Sequence, residues 1–307
     1  MKMISRFFAI LLLSFAVFST AQAQDSAKDF PLLANLGIGD PVPLLEAESP
    51  ELEATLMEQL RKNPQWRSLI TQRRLAVGVV DMSDPNNVKY AGINDQHMLY
   101  AASLPKIAVL LAAEDAINEG ELVETDAVRQ DMRLMIAKSN NAATTRMIDR
   151  VGFEKIEAVL TDERYKLYDP ELGGGLWVGK RYAAGGRRYP EPMKGLSHAA
   201  TTLQVARFYY LMANRMLVSP ERSRDMIEIM RKPLLFHKFM KPLTQMTPNA
   251  DVARKSGSWS TFHSDSVWVQ DDNGRNYILV ALVDHPQGGQ IVPKLLPAVE
   301  KAMKAAR

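Results

Sequence analysis

The period of apolar and polar positions changes several times along the chain, and each change predicts an element. Between Glu51 and Lys62, residues Leu52, Leu56, Met57 and Leu60 fall on one face of an amphipathic helix. The run from Leu75 to Asp81 is short, apolar and rich in valine, which predicts a buried strand. Asp84-Pro85-Asn86-Asn87 supplies a turn and Val88 to Gly92 a second strand, so the two strands form a hairpin. From Leu104 to about Asp162 the period is helical. The unbroken apolar run Ile107 to Ala113 reads as a buried helix ending near Glu119-Gly120. Ala127 to Lys138 follows, with Val128, Met132, Met135 and Ile136 in register. Asn141 to Val151 and Phe153 to Leu160 come next, split by Gly152.

Residues 163–197 lose this period. Gly173-Gly174-Gly175, Gly185-Gly186, Pro170, Pro190 and Pro192 predict a long irregular excursion, of the kind that is functional or disordered when it interrupts a compact domain. Helices resume over Thr201 to Asn214 and Pro220 to Met230. Strands return over Val252 to Gly257, Asp265 to Val269 and Tyr277 to Asp284, the last two joined by the turn Asp271-Asp272-Asn273-Gly274. Ile291 to Ala306 closes as a helix. Strands near both ends with helices between them imply a mixed α/β (α+β) fold. One antiparallel sheet, flanked by helices, is drawn from residues 51–102 and 250–307, and an all-helical part spans 103–249.

The first residues follow another logic. Lys2 and Arg6 precede the apolar stretch Phe7 to Phe18, and Ala21-Gln22-Ala23 is a small-x-small cleavage pattern. We read residues 1–23 as a signal peptide and 24–50 as a leader segment, giving a periplasmic or secreted protein with no stable membrane anchor after cleavage. Losing Lys2 and Arg6 lowers the formal charge from +3 to +1. That balance gives no reason to expect nucleic acid as a partner. Cysteine is absent, which excludes thiol catalysis, thiolate metal sites and disulfides. His97, His198, His237, His263 and His285 show no metal-ligand spacing, and no Gly-x-Ser-x-Gly elbow occurs. No metal or cofactor is expected.

The candidate chemistry lies at the start of the buried helix. In Ser103-Leu104-Pro105-Lys106 the serine and lysine are three apart, so on a helical turn they share a face. Pro105 suits a first turn, and the unpaired N–H groups there favour a developing anion. We read Ser103 as a nucleophile and Lys106 as its base. By itself Ser-x-x-Lys is expected about once by chance in a chain of this composition. Two further triplets add weight: Ser139-Asn140-Asn141 between two helices, and Lys255-Ser256-Gly257 ending a strand.

In that order the three triplets resemble the active-site set of penicillin-recognising serine enzymes, the class A β-lactamases and penicillin-binding proteins, over roughly residues 50–307. Tyr100 and the stretch from Thr201-Thr202 to Glu221 belong to the same resemblance. It implies a serine β-lactamase or DD-peptidase-like fold and opening of a β-lactam amide through an acyl-enzyme on Ser103. It also implies that Ser139 passes a proton to the leaving nitrogen and Asn141 bonds the substrate's side-chain amide. Lys255 keeps the site positive, and Ser256 binds a carboxylate. The oxyanion hole falls to the N–H groups of Ser103 and Ser258.

Asn140 and Ser256 stand where the family has Asp and Thr, and the gap from Ser103 to Ser139 is shorter than in typical class A enzymes. The family's deacylating glutamate precedes Pro-Glu-Leu-Asn. Here Tyr168-Asp169-Pro170-Glu171-Leu172-Gly173 puts Asp169 at that place, one methylene shorter, and Gly173 in place of asparagine. Acylation with slow deacylation is the expectation, with Glu171 as a substitute base. His263, Trp177 and Trp259 are near the triplets and are read as packing residues. Three functions stand side by side: a β-lactamase, a D-Ala-D-Ala peptidase of penicillin-binding type, and a non-catalytic binding protein. The partner is a small molecule, a β-lactam or a cell-wall peptide.

Overall fold

The computed structural model describes residues 41–307 apart from Lys232. The expected signal peptide and most of the leader segment fall outside these residues. After a short 3-10 turn at Leu44–Ala47 come α1 (Pro50–Arg61) and α2 (Pro64–Thr71). Each begins at a proline behind a capping side chain: Ser49 Oγ accepts from Leu52 N at 3.2 Å, and Asn63 Oδ1 accepts from Gln65 N at 2.9 Å.

The central sheet is built from β1 (Leu75–Asp81), β2 (Lys89–Ile93), β8 (Asp251–Trp259), β9 (Phe262–Gln270) and β10 (Asn276–Asp284). Its order is β2-β1-β10-β9-β8, antiparallel throughout, with Val79 opposite Leu279 and Lys255 opposite Ser266. Every residue of β1 is buried. Such a strand needs cover on both faces. One face packs with α1, α2 and α10 (Gly288–Ala305) into a core containing Leu52, Leu56, Leu279, Leu295 and Val299. The other meets α7 (Thr202–Ala213), almost all of which is buried.

The helical part holds α3 (Lys106–Asn118), α4 (Asp126–Ala137), α5 (Asn141–Val151), α6 (Phe153–Thr161), α8 (Pro220–Met230) and α9 (Met240–Met246). Of the 13 residues of α3, all from Lys106 to Ala116 are buried, so it is the axis of this part. Residues 163–197 are more ordered than their composition suggests. A pair, β4 (Tyr168–Asp169) with β5 (Gly174–Gly175), precedes β6 (Trp177–Val178), which joins β7 (His198–Ala200) and β3 (Leu99–Tyr100) in a small sheet of order β3-β7-β6. That sheet leads straight into Ser103, because Ala101 N continues the pairing to His198 O at 2.9 Å.

Candidate active site

Ser103 lies in a turn between β3 and α3, and regular helix begins only at Lys106. Ala102 takes a left-handed φ of 53°, and Lys106 N reaches back to Ser103 O at 3.4 Å. Pro105 is therefore the residue before the first helical turn, with its missing N–H costing nothing. Neither Ser103 N nor Ser103 Oγ has a hydrogen-bond partner among the described residues. Both groups remain available to a ligand.

Lys106 points into the protein and its side chain is wholly buried. Its Nζ donates to Ser139 O at 2.7 Å, Asn141 Oδ1 at 2.8 Å and Ser139 Oγ at 3.3 Å. Three acceptors thus meet three ammonium hydrogens. The second triplet is shaped for this. Ser139 follows α4 with φ 53°, turning its carbonyl and hydroxyl inward. Asn140 Oδ1 caps α5 by accepting from Ala143 N at 2.8 Å, which leaves Asn141 free to face Lys106. Asparagine at 140 does the capping work without adding a carboxylate.

The third triplet comes across on β8. Lys255 Nζ donates to Ser139 Oγ at 2.9 Å and to Ser256 O at 2.6 Å. Gly257 is required by contact: a Cβ there would lie 2.4 Å from Ala101 O and 2.6 Å from Ser103 N. Ser264 Oγ donates to the same Ala101 carbonyl at 2.9 Å, locking the strand to the turn that carries Ser103. Ser256 is buried opposite Asp265, and exposed Ser258 shares a 3.2 Å hydrogen bond with His263 Nδ1. His263 also packs on Gly288, so its role is structural as well as polar.

Positive charge accumulates here. Under the third triplet, Arg254 forms a buried pair with Asp265, 2.9 Å from Nη2 to Oδ2. Lys238 donates to Gly257 O and Ser264 O. No carboxylate among the described residues lies within 4.0 Å of the Lys106 or Lys255 ammonium. Burial lowers Lys106 to about 7. Burial and then the charge of Lys106 push Lys255 well below the ordinary lysine range.

Asp169 does not join this group. Its Oδ1 accepts from Glu171 N at 2.9 Å, capping the single 3-10 turn Pro170–Leu172, and its charge is felt by Lys166 and Arg207. The loop is fixed in that position by Gly173, at φ 78°, where a Cβ would lie 2.0 Å from Gln96 O. Asp169, expected at the place of the deacylating glutamate, makes no hydrogen bond or ion pair with Ser103, Lys106, Ser139 or Lys255 among the described residues. Glu171 is exposed at the same turn.

Tyr182 stands beside Lys106. Its ring centre lies 4.5 Å from Lys106 Nζ and its hydroxyl donates to Ala102 O at 3.0 Å. The ring also packs 4.3 Å from that of His198, a neutral imidazole that burial lowers to about 4. No motif marks Tyr182. Its only sequence signal is an aromatic residue inside a Gly- and Arg-rich loop.

Among the described residues no cluster of three or more His, Asp or Glu side chains could hold a metal. A family model described as the beta-lactamase enzyme family matches residues 126–305. The chain belongs to this β-lactamase family. Ser139, Asn141, Asp169 and the third triplet lie inside the matched stretch, whereas Ser103 and Lys106 precede it. A search of curated proteins finds no match. Solved structures of this fold include a β-lactamase from Sphaerobacter thermophilus, at 15% identity and TM-score 0.62, covering 83% of this chain and 96% of that one. The TLA-3 extended-spectrum β-lactamase matches at 13% identity and TM-score 0.63, covering 82% and 97%. A mutant of PBP-A, solved as an acyl-enzyme complex with penicillin G, matches at 18% identity and TM-score 0.62, covering 86% and 99%. These likenesses bear on the fold, which is the serine β-lactamase and penicillin-binding type expected from the three triplets.

Proposed function

We propose that the chain is an exported serine hydrolase that forms an acyl-enzyme on Ser103 with a β-lactam or a cell-wall peptide and releases it slowly. The observation that carries this reading is the meeting of Lys106, Ser139 and Lys255 on one hydroxyl, with β8 held by Gly257 against the turn that carries Ser103. The third segment, more than 100 residues from the other two, has no structural need to join them in a buried, cation-rich cleft.

Near neutral pH a fraction of Lys106 is uncharged, and its lone pair can then take the Ser103 proton. Ser103 Oγ attacks the carbonyl carbon. The resulting oxyanion rests on the N–H groups of Ser103 and Ser258, where loss of one such donor typically costs about 3–4 kcal/mol. The proton passes from Lys106 through Ser139 Oγ, 3.3 Å away, to the departing nitrogen. Lys255 and Ser256 hold the substrate carboxylate. Acylation therefore needs nothing beyond the residues of this cleft.

Hydrolysis of the ester needs a base for water. The aromatic ring of Tyr182 covers Lys106, and Asp169 Oδ1 caps the Pro170–Leu172 turn. This favours a transpeptidase, or a peptidase of slow release, over a fast β-lactamase. A chromogenic cephalosporin assay with Ser103→Ala as control tests it. The expected result is a burst of about one equivalent followed by slow turnover, both lost in the variant. Fast steady turnover contradicts slow deacylation, and neither burst nor turnover contradicts the enzyme reading.

A further inference from the structure

A cavity of about 780 Å3 opens beside Asn141, bounded by Tyr100, Tyr182, Phe262 and the exposed indole of Trp259. Its charged lining is Lys180, Arg181 and Arg188, with no aspartate or glutamate. Arg181 is neutralised by Asp149, 2.5 Å from Nε to Oδ1. Lys180 and Arg188 have no carboxylate within 4.0 Å among the described residues; the one hydrogen bond of the Arg188 guanidinium goes to Gly195 O at 2.9 Å. The two cations are not scattered. An antiparallel bridge sets residues 180 and 188 opposite one another, so their side chains leave the backbone on one face.

This finger of chain is held from both sides. His198 Nε2 bonds Lys180 O at 3.1 Å, and the Tyr182 hydroxyl bonds Ala102 O beside the nucleophile. An apolar, aromatic cavity with two unneutralised cations on opposed backbone positions suits an organic anion. Because Asn141 lines the same cavity, the anion belongs to the acyl half of the substrate, the part that stays on the serine.

We propose that Lys180 and Arg188 form a second anion subsite, selecting acyl donors that carry a carboxylate on the acyl side as well as one on the leaving side. This rests on the reading of Ser103 as the acylated residue. The test uses two D-alanyl thioesters of thioglycolate, one N-propionylated and one N-succinylated, which differ by one carboxylate. In each, the C–S bond breaks as the Ser103 Oγ–C bond forms, and the thiol leaves with the serine proton. Thiol release and intact mass report acylation.

The succinyl donor should acylate with at least about tenfold higher efficiency at low salt, the scale of one charge-assisted hydrogen bond. That preference should fall toward 1 in the Lys180→Met/Arg188→Met double variant and shrink in 1 M salt. It should persist in Lys180→Arg, which keeps the charge. It should also persist in Arg187→Met, whose partner is Glu154 and which lies outside the cavity lining. Equal rates for the two donors on the unaltered protein overturn the subsite and leave the acylation reading standing. Failure of both donors to label Ser103 overturns both.

Discussion

Lys106 and Lys255 meet on a single oxygen: Ser139 Oγ lies 3.3 Å from one ammonium nitrogen and 2.9 Å from the other. Two lysines this close, both buried and neither paired with a carboxylate, cannot both hold a full charge at neutral pH without a large penalty. Burial lowers both, Lys106 to about 7, so loss of one proton relieves the pair, and we propose that it leaves Lys106. That loss is the condition for Lys106 to act as a base, so site electrostatics and proposed chemistry are one property.

Acylation should follow the deprotonation of Lys106. The rate of Ser103 labelling by penicillin should rise with pH through a midpoint near 7 and level off above it, because the neutral amine is the active form. A rate falling over this range contradicts Lys106 as base. Lys106→Met should lower labelling by at least about 100-fold, the lower end of a general base's contribution.

The Tyr182 ring packs over the Lys106 ammonium, 4.5 Å from its nitrogen. Burial lowers the lysine to about 7, whereas a ring–cation attraction, worth about 0.5–2 kcal/mol, acts in the opposite direction and is the smaller effect. Tyr182→Ala should therefore move the labelling midpoint upward by about one unit or more. An unmoved midpoint shows that the ring does not set the lysine's surroundings.

Asp169 caps a turn, and we propose that it takes no part in deacylation. The lifetime of the acyl-enzyme should change by less than about twofold in Asp169→Asn, measured by loss of the adduct after rapid drug removal, with some loss of thermal stability from the weakened cap. Tenfold lengthening of the lifetime returns the carboxylate to the deacylation step.

Glu114 offers a test of the helical core. It is fully buried on α3; Oε2 accepts from Arg222 at 3.2 Å and Oε1 has no partner. Burial raises it to about 7. The folded form keeps the proton that the unfolded chain releases above its ordinary value near 4.5, so this residue's contribution is lost as pH rises from about 4.5 to 7. Glu114→Gln escapes that loss, and Arg222 keeps Glu124 and Asp225 as partners. The variant's stability advantage should grow across this window by on the order of 1–3 kcal/mol and then stay level. Thermal melts at pH 4.5 and 8 measure it.

Much of the fold is legible because strong periods carry it. The apolar run of β1, the helical spacing of α4 and the buried α3 each signal one element. Helix α2 escapes that reading although Asn63-Pro64 is a capping signal, because its eight residues show only one apolar turn, Trp66 with Leu69 and Ile70. The short strands within 163–197 leave no period at all: two-residue strands are defined by what they pair with, not by their own composition. The same holds for the site. Residue type and order point to Ser103, Lys106, Ser139 and Lys255. Asp169 is singled out only by its place in a string of letters, and a fixed glycine at 173 sends that loop to Gln96 instead. Tyr182, Lys238 and Arg254 act through contacts between distant segments, which no local pattern announces.

The most direct measurement is intact mass of the protein after brief exposure to penicillin G, followed by peptide mapping. Acylation as proposed adds one drug mass per chain, located on the peptide containing Ser103 and absent from Ser103→Ala. An unmodified protein, or an adduct that survives the substitution, contradicts it.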